Sequence, residues 1–171
     1  MICTLFIEKV FTSGFEDACQ SDALRLLMCS SMIEGNRLYD DHGHVTHLSM
    51  DEVLNTIDDL HVTMAGDYFV RPCAIKAILD LRHQSASAAA RKMSGGVLVI
   101  EPYSFAVVCT DASFLLFDSH AHGLLGALVA QVPICCAAAY VESFFERHYE
   151  HLCFHAESNV NKVGHPTLLQ L

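Results

Sequence analysis

Residues 97–123 read VLVIEPYSFAVVCTDASFLLFDSHAHG. Three short apolar runs, 97–101, 104–109 and 114–117, are rich in β-branched and aromatic residues. The turn-forming segments Pro102-Tyr103 and Thr110-Asp-Ala-Ser113 separate them. Runs of that length, so bounded, predict strands, and the segment reads as a three-stranded meander. The third run goes straight into Asp118, Ser119, His120, Ala121, His122 and Gly123. Residues two apart in an extended chain face the same side. Asp118 and His120 therefore stand side by side just past the strand end, where the carboxylate can hold one ring nitrogen and leave the other free as a base.

Upstream of the meander the pattern is mostly helical. Residues 1–11 (MICTLFIEKVF) read as a strand or a hydrophobic arm, followed by a polar turn around Gly14. From Cys19 onward, Ala23, Leu24, Leu26, Leu27 and Met28 recur at helical spacing, and Gly35 reads as the stop. Cys19 then lies at or near a helix start, where the dipole lowers a thiol's pKa. Ser49-Met-Asp-Glu52 is a capping box, opening a helix through Val53, Leu54, Ile57, Leu60 and Met64 to Gly66. A third helix is expected from Pro72, a favourable first-turn residue. Beyond the meander, 123–132 reads as helical in part, 134–151 as a helix, 152–157 as a strand and 158–171 as a loose tail. Helices first, then a meander, a helix and a strand give an α+β order within one domain over residues 1–171.

Composition narrows the function classes. The chain has 171 residues, 52% of them hydrophobic, and a formal net charge of -10. So acidic a chain argues against non-specific nucleic-acid binding and suits a basic partner. No apolar run reaches membrane-spanning length. The N-terminus has no basic region and no small-residue cleavage site, so it is not read as a signal peptide. Eight Cys without a Cys-x-x-Cys pair read as reduced core residues rather than a disulfide framework or zinc knuckle. Cys29, Cys109, Cys135 and Cys136 are accordingly expected to be buried. His42, His44 and His47 form a solvated loop or a metal site. Asp118, His120 and His122 spell D-x-H-x-H, which suits a metal-dependent hydrolase, although the chain has no H-E-x-x-H. No cofactor is expected, and the sequence leaves the oligomeric state open.

An early Cys on a helix start, with Asp and His late on a sheet, is the general arrangement of thiol proteases. Three segments resemble the N-terminal cysteine protease domain of the herpesvirus large tegument proteins, a family of deubiquitinases and deneddylases. Cys19-Gln-Ser-Asp22 with the helix ALRLLMCSSMIEG resembles the family's nucleophile helix. Met50-Asp-Glu-Val-Leu54 with Asp58, Asp59 and Leu60 resembles its second helix. Residues 97–123 resemble its strand pair and its Phe-Asp-Pro-His or Phe-Asp-Ser-His motif. The resemblance spans residues 15–157. It implies a papain-like thiol protease, with N-terminal helices packed on a small, mostly antiparallel sheet. It also implies Cys19 as nucleophile, His120 as general base and then acid, and Asp118 as orienting carboxylate. The implied reaction is cleavage after the C-terminal glycine of ubiquitin or a ubiquitin-like protein, with that protein as partner. The implied setting is intracellular: the virion tegument and the host cytoplasm and nucleus. The family's Gln about ten residues before the nucleophile has no counterpart, because residues 1–18 contain no Gln. An inactive ubiquitin-binding module of the same fold is therefore the alternative, beside the metal-dependent hydrolase.

Overall fold

A computed structural model of the chain describes residues 1–43, 49–57, 63–67, 93–100, 103–149 and 165–170. The three apolar runs form the expected meander: β2 (Met93–Ile100), β3 (Tyr103–Thr110) and β4 (Ser113–Asp118). β5 (Leu128–Pro133) extends it where the sequence read as partly helical, and only Gly123–Leu125 forms a single 3-10 turn. β1 (Thr63–Asp67) takes the place of the expected end of the second helix. β6 (His165–Gln170) lies in the tail that read as loose. The sheet order is β1-β6-β2-β3-β4-β5, and every pairing is antiparallel. The expected α+β class, helices with an antiparallel sheet, is what the described residues form.

Alternation along the strands sends side chains to two cores. Phe105, Val107, Cys109, Phe114 and Leu116 face α5 (Ala137–His148) and meet its Val141, Phe144 and Phe145. Ala106, Val108, Leu115 and Phe117 face α1 (Ile2–Ser13) and meet Cys3, Phe6, Ile7, Val10 and Phe11. The sheet is thus the middle layer between α1 and α5.

Residues 2–13 are helical rather than a strand or arm. α1 lies between the sheet and α3 (Ser21–Asp41), so Cys3, Leu5, Phe6, Ile7, Val10 and Phe11 are all buried. A helix covered on most sides loses the one-sided period that betrays helices in sequence. α3 runs past Gly35 to Asp41. Gly35 is a point of close approach, not a stop: a Cβ there would press into the Ile2 side chain and lie 3.2 Å from its Cα.

α2 (Phe15–Ala18) is a short turn between α1 and α3. α4 (Met50–Thr56) opens on the expected capping box, with the Ser49 N–H donating to Glu52 Oε2 at 2.7 Å and the Glu52 N–H to Ser49 Oγ at 3.3 Å. It ends at Thr56, well short of Gly66. The helix expected from Pro72, the strand expected over 152–157, and His44 and His47 lie outside the described residues. Among the described residues, no helix is long and apolar enough to cross a membrane.

The described thiols are all free. Cys109 is buried as expected, but Cys29, Cys135 and Cys136 are exposed. Cys29 lies on the outer side of α3, and the Cys pair sits in the turn entering α5, so apolar sequence neighbours did not mean burial.

Candidate active site

β4 ends on Asp118, which pairs in register with Phe105 and is wholly buried. Its Oδ1 accepts the His120 backbone N–H at 2.9 Å and lies 2.6 Å from His120 Nδ1. Its Oδ2 accepts the Tyr149 hydroxyl at 2.5 Å and lies 2.8 Å from His122 Nε2. Burial alone would raise the carboxyl's pKa, but the hydrogen bonds from the His120 ring, Tyr149 and the His120 backbone outweigh it and hold it below the ordinary value. Asp118 is therefore an anion that only accepts, so the facing ring nitrogens are the donors. The expected Asp118–His120 pair is formed, and the His120 side chain remains one-third exposed.

Tyr149 joins the pair from 31 residues away. It sits at the C-terminal cap of α5, with its ring edge-on to Tyr103 at 4.8 Å and to Phe105 at 5.3 Å. Burial and the Asp118 hydrogen bond raise its pKa, so it stays a donor. In the sequence no local signal marks it. His122 is packed edge-on against His148, with ring centroids 4.6 Å apart. Burial and the nearby His122 lower the pKa of His148.

Cys19 is not part of this group. It caps α2 and lines a cleft of about 930 Å³ with Glu16, Asp17, Gln20, Asp111 and Gln131. That cleft lies at the β3–β4 turn, whereas Asp118 ends β4. Five residue steps of strand at about 3.3 Å each separate the two ends by roughly 16 Å. α3 begins at Ser21 with Gln20 as its N-cap, so Cys19 stands just before a helix start as expected, and burial raises its thiol's pKa. The structure thus brings Asp118 and His120 together and leaves the expected nucleophile at the other end of the sheet.

A different thiol lies at the Asp118 end. Cys3, in the first turn of α1, donates to the Ser104 carbonyl at 3.4 Å. Ser104 precedes Phe105, which pairs in register with Asp118, so Cys3 lies at this end of the sheet on its α1 face. The Tyr103 and Phe105 rings, 5.0 and 6.0 Å from the His120 ring, lie on its α5 face. Burial, with the charge of Asp118 adding to it, pushes the Cys3 thiol up to about 12. Sequence reasoning missed Cys3 because residues 1–11 did not read as a helix. The available signal was a Cys in a largely apolar segment, MICTLFIEKVF.

No group of three or more His, Cys, Asp or Glu among the described residues could hold a metal ion. His120 and His122 instead address different oxygens of one carboxylate.

No family model matches the chain, and no curated protein matches it. Among solved structures it is similar to the ubiquitin-specific protease encoded by murine cytomegalovirus tegument protein M48, crystallised with a ubiquitin-based suicide substrate. The TM-score is 0.58 at 12% identity, over 98% of this chain and 75% of that chain. At that identity the likeness is one of fold: this α+β arrangement of helices and antiparallel sheet is similar to that of a viral ubiquitin-specific protease.

Proposed function

We propose that the chain is a thiol hydrolase that cleaves after the C-terminal glycine of ubiquitin or a ubiquitin-like protein, with Cys3 rather than the expected Cys19 as nucleophile. The observation that carries this is the Asp118–His120 pair at the strand end, with a helix-start thiol at the same end of the sheet. The fold likeness to a ubiquitin-specific protease supports the substrate class. The net charge of -10 suits a basic partner surface, chiefly by speeding encounter. The setting that follows from this reading is intracellular, in a virion tegument and an infected cell.

The chemistry follows from the donors. His120 carries its proton on Nδ1, held by Asp118, so Nε2 is free to take the Cys3 proton. The Cys3 thiol leaves Ser104 O, turns to the imidazole and attacks the glycine carbonyl as thiolate. The imidazolium then protonates the leaving amine, and the acyl-enzyme is hydrolysed by a water that His120 activates. Backbone N–H groups in the first turn of α1 have no intrahelical acceptor and can hold the oxyanion.

A second reading is a ubiquitin-binding module without turnover. The depth of Cys3, 3% exposed and protonated, favours it. Turnover of a fluorogenic ubiquitin C-terminal amide separates the two. The hydrolase loses activity at least about a thousandfold in Cys3→Ala and His120→Ala and stays within about twofold in Cys19→Ala. An active Cys3→Ala variant refutes the assignment of Cys3. A wild type that binds ubiquitin without cleaving it establishes the module.

A further inference from the structure

We infer that His122 and Tyr149 are positioning residues: by occupying the second oxygen of Asp118 they fix its carboxylate, so that His120 keeps its proton on Nδ1 and presents a bare Nε2. The catalytic consequence rests on the proposed hydrolase; the arrangement of protons does not.

An ionised carboxylate offers about four acceptor sites, and Asp118 meets four donors, two on each oxygen. Both donors on Oδ1 come from His120 itself, through its backbone and its ring. Those two bonds hold one oxygen from a single neighbouring segment. The donors on Oδ2 come from elsewhere and hold the second oxygen, so the plane of the carboxylate is fixed from both sides.

Both outside donors are firmly placed. The His122 N–H donates to Gly126 O at 2.9 Å and closes a loop in which Gly123 and Gly126 adopt φ of 59° and 69°. Only glycine takes those angles without strain. Tyr149 is set by α5 and by the rings of Tyr103 and Phe105. The two imidazoles also differ in access: the His122 side chain is 7% exposed, that of His120 33%. The buried ring serves the carboxylate and the accessible one faces a substrate. Because His122 donates through Nε2 and His120 through Nδ1, their neutral forms are opposite tautomers.

Long-range ¹⁵N–¹H correlation spectra of the 171-residue chain read those tautomers directly. In the neutral rings, His120 carries its proton on Nδ1 and His122 on Nε2. Tyr149→Phe and His122→Leu each mix the His120 tautomers and lower kcat about ten- to a hundredfold, the usual cost of removing a partner that orients a working imidazole. KM stays within about twofold, because neither residue is proposed to touch substrate. His122→Gln, whose amide can still donate, restores a single His120 tautomer. Tyr149→Phe keeps the ring in its seat and decides alone if His122→Leu does not fold. A proton on Nδ1 of His122 in the wild type overturns the inference, and so does a His120 tautomer indifferent to both losses. A wild type with both tautomers as stated but no turnover leaves the inference standing and removes the hydrolase.

Discussion

Two cysteines, Cys3 in the first turn of α1 and Cys19 at the cap of α2, lie by opposite ends of the β3–β4 pair, and their surroundings are built differently. At one end Cys3 lies against Ser104, with Asp118, His120, His122 and Tyr149 gathered nearby. The carboxylate there is wholly buried and fully hydrogen-bonded. At the other end Cys19 sits at the rim of an open cleft among the exposed Glu16, Asp17 and Asp111. No imidazole lines that cleft among the described residues. What separates them is the partner that the sheet delivers, and the sheet delivers Asp118 and His120 to one end only.

The contrast can be broken with small reagents. In the free protein Cys3 is buried and its pKa stands at about 12, whereas Cys19 is partly exposed. Each pKa unit is a tenfold change in thiolate. Iodoacetamide should therefore modify Cys19 at least about tenfold faster than Cys3, with the exposed Cys29, Cys135 and Cys136 not slower than Cys19. Site-resolved mass spectrometry reads the order, and rapid loss of Cys3 would mean that its burial is not maintained in solution.

A smaller effect is expected from Gly35→Ala. The added methyl meets Ile2, one residue before Cys3, and overpacking of this kind costs about 1–3 kcal/mol. Chemical denaturation measures that loss. Turnover should fall along with stability, because the shift falls on the first turn of α1. Unchanged stability would show that the α1–α3 crossing is looser than described.

The smallest effect is on the acid limb of stability. The folded pKa of Asp118 lies below its unfolded value because its hydrogen bonds favour the anion. Its contribution is present above the ordinary carboxylate pKa of about 3.9. It is lost as pH falls from there through the folded value, since the unfolded chain binds the proton first. Asp118→Asn should flatten that part of the decline. Equal acid slopes in the two proteins would mean that Asp118 is not held as an anion.

How much of this was legible follows from range. The strands of the meander and the Asp118–His120 pair depend on neighbours one or two residues away, and the sequence shows them directly. The capping box at Ser49 and Glu52 is likewise local. α1 was hidden because its position between α3 and the sheet buries residues around the helix, including Thr4 and Glu8, and erases the period. Gly35 misled because a helix stop and a close helix crossing ask for the same residue. Tyr149 and Cys3 were hidden because their meaning lies in Asp118, 31 residues from one and 115 from the other, and no spacing rule reaches that far.

The most direct test of the central claim uses ubiquitin itself as the reagent. A ubiquitin with an electrophile in place of its C-terminal carboxylate should join covalently to the chain, and peptide mapping should find the adduct on Cys3. The preference for Cys19 expected with iodoacetamide should thereby reverse, because in the proposed mechanism His120 takes the proton of Cys3. The adduct should vanish in Cys3→Ala and persist in Cys19→Ala. An adduct mapped to Cys19, or one that survives Cys3→Ala, would contradict the account.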